Sequence, residues 1–129
     1  MQVPIASDVD IVGARMAARE LALEVGFDGA ELVMIATAVS EVARNIVEYA
    51  KPGEVSLEAI SNGYKNGLQV VARDGGPGIA DVSLAMQDGY SSARGLGLGL
   101  PGARRLMDEF QIESQPGKGT SITMKKWLP

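Results

Sequence analysis

Glu41 and Asn45 stand four positions apart in the segment SEVARNIVEYA, so a helix there stacks them on one face. A carboxylate beside a carboxamide divides labour. The amide oxygen is a hard, neutral ligand suited to Mg²⁺, and the carboxylate accepts a proton or orients a nucleophile. The same two residues also suit the solvated side of an amphipathic helix. Asp74, in VVARDGGPGI, falls where an apolar strand gives way to a glycine turn. An ionised carboxylate accepts hydrogen bonds and donates none, which matches the exocyclic amino group of adenine. Gly76 and Gly78 would let the backbone approach a flat ring. A turn-forming Asp-Gly bent by Pro77 uses the same residues for no chemistry at all. In SSARGLGLGLPGARRL, finally, Gly95, Gly97 and Gly99 lie directly ahead of a helix. Their N–H groups, with the helix N-terminus, make an anion site for phosphates; a flexible loop is the plain alternative.

Other chemistry is excluded by composition. The 129 residues contain no Cys and no His, which removes disulfides, thiolate nucleophiles, Ser/His pairs, His-bearing zinc motifs and an internal phosphohistidine relay. What remains is carboxylates, amides, hydroxyls, backbone N–H groups and a borrowed metal. Gly97, Gly99 and Gly102 fit a G-x-G-x-x-G pattern, but no apolar strand precedes them, so a dinucleotide-binding unit fails its context test. Gly117-Lys118 is followed by Gly119 where a P-loop needs Ser or Thr. The net charge is −4 and the pI near 4.8, which gives no case for nucleic acid. The acids concentrate in residues 1–64, while residues 65–129 are mildly basic, in keeping with an anionic ligand in the second half. Uncharged stretches such as Leu32 to Ser40 are too short for a bilayer span, so no membrane association and a cytoplasmic location are expected.

The elements that must position these residues can be read from patterning. Met1 to Ile5 reads as a short strand, and Ser7 with Asp10 as a capping box opening a helix through Val25, stopped by Gly26. Asp28 caps a second helix, in which Leu32, Ile35, Val39, Val42 and Ile46 recur at helical steps until Lys51-Pro52-Gly53. Residues 55–59 and 68–72 form a hairpin. A glycine-rich region with a short helical turn near Val82 to Gln87 leads to a third helix at Leu100 to Met107. Strands at Phe110 to Ser114 and Thr120 to Trp127, joined by a turn at Pro116 to Gly119, close the chain. The length supports one domain over residues 1–129. The order predicts an α/β (α+β) two-layer sandwich, a mixed sheet with helices on one face.

Taken together and in order, the helix bearing Glu41 and Asn45, the strand-end D-x-G-x-G, the G-x-G-x-G run and the late Gly117 to Thr120 segment resemble the GHKL ATPase superfamily. Its gyrase, Hsp90, histidine kinase and MutL members bind ATP in the Bergerat fold. Within it the chain is most similar to the small bacterial partner-switching kinases of the stressosome. AVSEVARNIVEYA, DGGPGIAD, DGYSSARGLGLGLPGARRLMDEF and the closing KW carry that similarity. The resemblance implies ATP and Mg²⁺ as cofactors. It implies that Asn45 binds the metal, that Glu41 acts as base or orients the acceptor hydroxyl, and that Asp74 reads adenine, helped by Gly76, Gly78 and Thr120. It further implies that Gly95, Gly97 and Gly99 cover the phosphates and that Arg94 clamps charge near the γ-phosphate. The partners implied are STAS-domain proteins, the stressosome antagonist and co-antagonist, and a PP2C-type phosphatase. An anti-sigma factor that sequesters a sigma factor shares every ATP motif and is told apart by its partner. A bare ATPase module that has lost transfer sits less well with both Glu41 and Asn45. Tyr90, Arg94 and the Arg104-Arg105 pair are the candidate interface anchors.

Overall fold

The computed structural model describes residues 1–50, 52–78, 86 and 99–129. The elements run β1 (Gln2–Ile5), α1 (Asp8–Val25), α2 (Gly29–Tyr49), β2 (Gly53–Ser61), β3 (Asn66–Asp74), α3 (Gly99–Leu106), β4 (Glu109–Ser114) and β5 (Thr120–Trp127). The short turn expected near Val82 to Gln87 lies outside the described residues apart from Met86.

Local chemistry accounts for the helix ends. At α1 the Asp10 carboxylate reaches back to the N–H groups of Ala6 at 2.8 Å and Ser7 at 3.1 Å, which satisfies donors that a helix start leaves unpaired. Gly26, at φ 122°, then ends the helix and turns the chain so that Phe27 enters the core with 2% exposure. Asp28 occupies the N-cap position of α2 with extended backbone, but its carboxylate makes no cap hydrogen bond. It contributes through its main-chain oxygen, which accepts from Glu31 N–H at 3.2 Å.

The five strands form one sheet in the order β1-β2-β3-β5-β4. Its helix-facing side carries Ile5, Val55, Leu57, Leu68, Val70, Ala72, Ile122 and Met124. These meet Ile11, Ala14, Ala18 and Ala22 of α1 and the Ile35, Val39, Val42, Ile46 stripe of α2 in a continuous apolar core. The helix stripe and the alternating strands are thus as the pattern predicts, and the two-layer α+β architecture holds. The sheet is not mixed. All four strand pairings are antiparallel. A parallel neighbour needs a single crossover helix; here two helices separate β1 from β2, so the chain reverses three times and returns antiparallel.

Strand register then decides which residues share an edge. Asp74, the last residue of β3, stands opposite Gly53 on one side and opposite Thr120, the first residue of β5, on the other. The end of α2, the end of β3 and the start of β5 therefore meet at one rim of the sheet.

Candidate active site

Glu41 lies on α2 beside the core stripe and is buried, at 7% exposure; Asn45, one turn later, is half-buried. The solvated-helix-face alternative for Glu41 is thereby removed. Both oxygens of Glu41 are occupied. Oε1 accepts from Nη1 of Arg44 at 2.9 Å, and Oε2 accepts from the backbone N–H of Gly99 at 3.2 Å. The second bond crosses from α2 to the first residue of α3, directly after the glycine run. Burial pushes the Glu41 carboxyl above its ordinary value, with Arg44 and the Gly99 N–H opposing and Glu48 adding to the rise.

Asp74 is held differently. Its Oδ1 accepts from Gly76 N–H at 3.0 Å, an Asx-type turn that fixes the carboxylate at the strand end. Burial raises its pKa as well, opposed by backbone hydrogen bonds from Gly76 and Thr120. Thr120, itself buried, shares a 2.8 Å hydroxyl–hydroxyl hydrogen bond with Ser114, whose Oγ also donates to the Gly119 carbonyl at 3.1 Å. The glycines around Asp74 have structural reasons of their own. A Cβ on Gly76 would lie 2.6 Å from Cβ of Ala50, just past the end of α2. On Gly78, at φ +76°, it would collide with the Gln115 carbonyl, and on Gly119, at φ +79°, with the Asp74 carbonyl. Gly117 N–H donates to the Pro77 carbonyl at 2.6 Å. At Gly78 and Gly119 the close approaches are therefore main chain to main chain, and at Gly76 the neighbour is the Ala50 methyl.

Helix α2 joins the two groups. A Cβ on Gly53 would lie 2.9 Å from Cγ2 of Ile46 and 3.1 Å from Cβ of Asp74, so the residue after Asn45 and the strand-end carboxylate flank the same glycine. A cavity of about 630 Å³ opens at this rim, walled in part by Asp74, Ser114, Lys118, Gly119 and Thr120; Glu41 and Asn45 lie outside its walls. The structure thus brings Glu41 to Gly99, and Asp74 to Gly76 and Thr120, with Gly78 packed on the turn before β5. Arg94, Gly95 and Gly97, like Tyr90, lie outside the described residues. Arg104 and Arg105 are exposed on α3. Two participants were missed by sequence reasoning. Arg44 had a signal, an opposite charge three positions from Glu41. Ser114 had none, because its meeting with Thr120 depends on the β4–β5 register.

A fold of this kind, with an acid and an amide on one helix and a strand-end aspartate beside a glycine loop, defines a class before any individual relative. The chain belongs to the histidine kinase-like ATPase domain family, whose model matches residues 5–126; it is an ATP-binding protein kinase of GHKL type. It is 48% identical over 126 residues to the serine/threonine-protein kinase RsbT of Bacillus subtilis (strain 168), covering 98% of this chain and 95% of that one. It is 35% identical over 104 residues to the anti-sigma F factor of Thermoanaerobacter sp. (strain X514), covering 76% and 71%. Among solved structures, one holding the RsbU and RsbW domains of a Mycobacterium tuberculosis protein has TM-score 0.67 at 21% identity, matching all of this chain and 33% of that longer one. The mycobacterial sensor histidine kinase MprB has TM-score 0.58 at 18% identity, with 98% and 97% covered. At those identities the two structures speak to the fold alone.

Proposed function

We propose that the chain phosphorylates a Ser or Thr of STAS-domain proteins, the antagonist and co-antagonist of a stressosome, and on release activates a PP2C-type phosphatase. The observation that supports the reading best is the 3.2 Å hydrogen bond from Gly99 N–H to the buried Glu41. It ties the acid of α2 to the end of the glycine run that would cover the phosphates. The likeness to RsbT supplies the acceptor type. No helix among the described residues is long and apolar enough to cross a membrane, and work in the cytoplasm is part of the proposal.

In the proposed reaction the acceptor hydroxyl oxygen bonds to the γ-phosphorus of ATP while the bond from that phosphorus to the bridging oxygen breaks and ADP leaves. The hydroxyl proton passes to Glu41. The transition state is loose, so most acceleration comes from alignment and charge stabilisation, and proton removal is needed only late. Asp74 would accept from the adenine amino group, with Gly76, Gly78 and Thr120 shaping its surroundings. Gly95, Gly97 and Gly99 would cover the phosphates, and Arg94 would stand near the γ-phosphate. Among the described residues no three acids cluster to hold a metal; a half-buried Asn45 offers one neutral oxygen. That donor set fits Mg²⁺ arriving with polyphosphate oxygens and water as its remaining ligands, where it would supply charge neutralisation.

Incubating the chain with Mg-ATP and a panel of STAS domains, with phosphate located by mass spectrometry, tests the reading. Phosphate on a STAS Ser or Thr is expected. Intact STAS domains together with recovery of a sigma factor in a pull-down would favour the second reading, an anti-sigma factor, which the likeness to anti-sigma F factors supports.

A further inference from the structure

Arg44 is a charged residue in direct contact with Glu41 to which the proposed chemistry gives no task. Its Nη1 lies 2.9 Å from Oε1 of Glu41, three positions earlier on α2, with Arg44 34% exposed and Glu41 7%. The carboxylate sits inside and the guanidinium straddles the boundary with solvent. Exposed ion pairs at this spacing contribute little, but here one partner is almost wholly enclosed. An enclosed carboxylate without a cation drifts towards its neutral form and loses its ability to take a proton. Among the described residues the other charged group acting on it is Glu48, also on α2, which pushes in the unfavourable direction.

Geometry adds a second effect. A carboxylate has about four lone-pair sites on its two oxygens. Arg44 takes one on Oε1 and the Gly99 N–H takes one on Oε2. Two bonds to opposite oxygens fix the plane of the group and, among the described residues, still leave each oxygen an open acceptor position. Neither bond alone would stop rotation about the last side-chain torsion, which is broad for Glu.

We propose that Arg44 is the positioning residue for Glu41: its grip on Oε1 orients the carboxylate that receives the acceptor hydroxyl's proton. This rests on the proposed role of Glu41 as proton acceptor. Arg44 itself touches neither nucleotide nor acceptor in the proposal and acts only through Glu41.

The test is a double-mutant cycle in the full chain with Arg44→Met and Glu41→Gln. It is read as ADP release with the STAS panel at saturating Mg-ATP, alongside ATP affinity by calorimetry. Arg44→Met is expected to lower kcat roughly tenfold to a hundredfold, the cost of a misplaced catalytic group, while ATP affinity stays within about twofold. In the Glu41→Gln background the same change should cost nothing further. Arg44→Lys keeps the charge and should recover part of the rate, and it serves where the Met variant fails to fold. An equal loss in both backgrounds overturns the proposal, as does a tenfold weakening of ATP binding with kcat unmoved, which would make Arg44 a nucleotide contact. Full activity of Glu41→Gln overturns the reading of Glu41 and the proposal with it. A wild-type chain that releases no ADP with any panel member overturns the kinase reading as a whole.

Discussion

Two carboxylates of this chain are held where water would not place them, and each has a consequence that can be measured on one side chain. Burial raises the pKa of Glu41, so in the window between its unfolded and folded values the folded state binds more protons than the unfolded one. Stability therefore falls as pH rises through that window and stays lower above it. Glu41→Gln should melt above the wild type near neutral pH. The advantage should shrink as the pH drops below the ordinary carboxylate range, a trend that melting curves from about pH 4 to about pH 8 would show. Asp74→Asn replaces a charged acceptor with an amide that presents a donor. ATP affinity should fall roughly tenfold to a hundredfold by calorimetry, the value of a charge-assisted hydrogen bond; undiminished binding would remove Asp74 from the adenine site. Glu41 and Asn45 were legible because helical spacing alone puts them on one face, and Asp74 because a strand pattern ends at it. The burial of Glu41 was not, since it depends on α3 folding back so that Gly99 reaches it.

Between secondary elements, what holds the site is largely bare backbone. Gly78→Ala must place a methyl against the Gln115 carbonyl at φ +76° and should cost about 1–3 kcal/mol in chemical denaturation, as backbone strain of this kind does. Gly75 has open space around its Cβ direction, and Gly75→Ala should change stability by no more than about 0.5 kcal/mol. Helix α3 is fastened at both ends, by Gly99 to Glu41 and by the Leu106 carbonyl to Nζ of the buried Lys126 at 3.0 Å. Lys126→Met should lower stability by about 1–3 kcal/mol, the cost of removing a hydrogen bond from a charged donor. The α2 stripe was readable from its large residues. Helix α1 misleads, for its outward side carries Val9, Val12, Met16 and Leu23 while Ala14, Ala18 and Ala22 face the core. Close approach of α1 selects small residues inside, so hydrophobicity alone points the helix the wrong way. Sheet direction was missed although both helices between β1 and β2 were legible, because it follows from the count of reversals and not from any strand's composition.

Across the whole molecule, the proposed nucleotide binding is linked to folding. A ligand that binds only the folded chain at about a hundred times its Kd adds about 2.7 kcal/mol. Saturating Mg-ATP should therefore raise the wild-type Tm by several degrees, and Asp74→Asn, with affinity tenfold to hundredfold lower, should keep only about half to a sixth of that rise at the same ATP concentration. The order of motifs along the chain carried the family, and the helix–strand pattern carried the layers. The pairing of β3 with β5, which sets Asp74 opposite Thr120, lay beyond local sequence because forty-six positions separate the two residues. The meeting of Gly119 with Asp74, and of Gly78 with Gln115, also limits how this protein can be repaired. In both cases the obstacle to a side chain is a carbonyl oxygen, and every amino acid has one. Selection for suppressors of Gly78→Ala or Gly119→Ala should accordingly return true revertants, and no exchange at 74 or 115 should restore the variants.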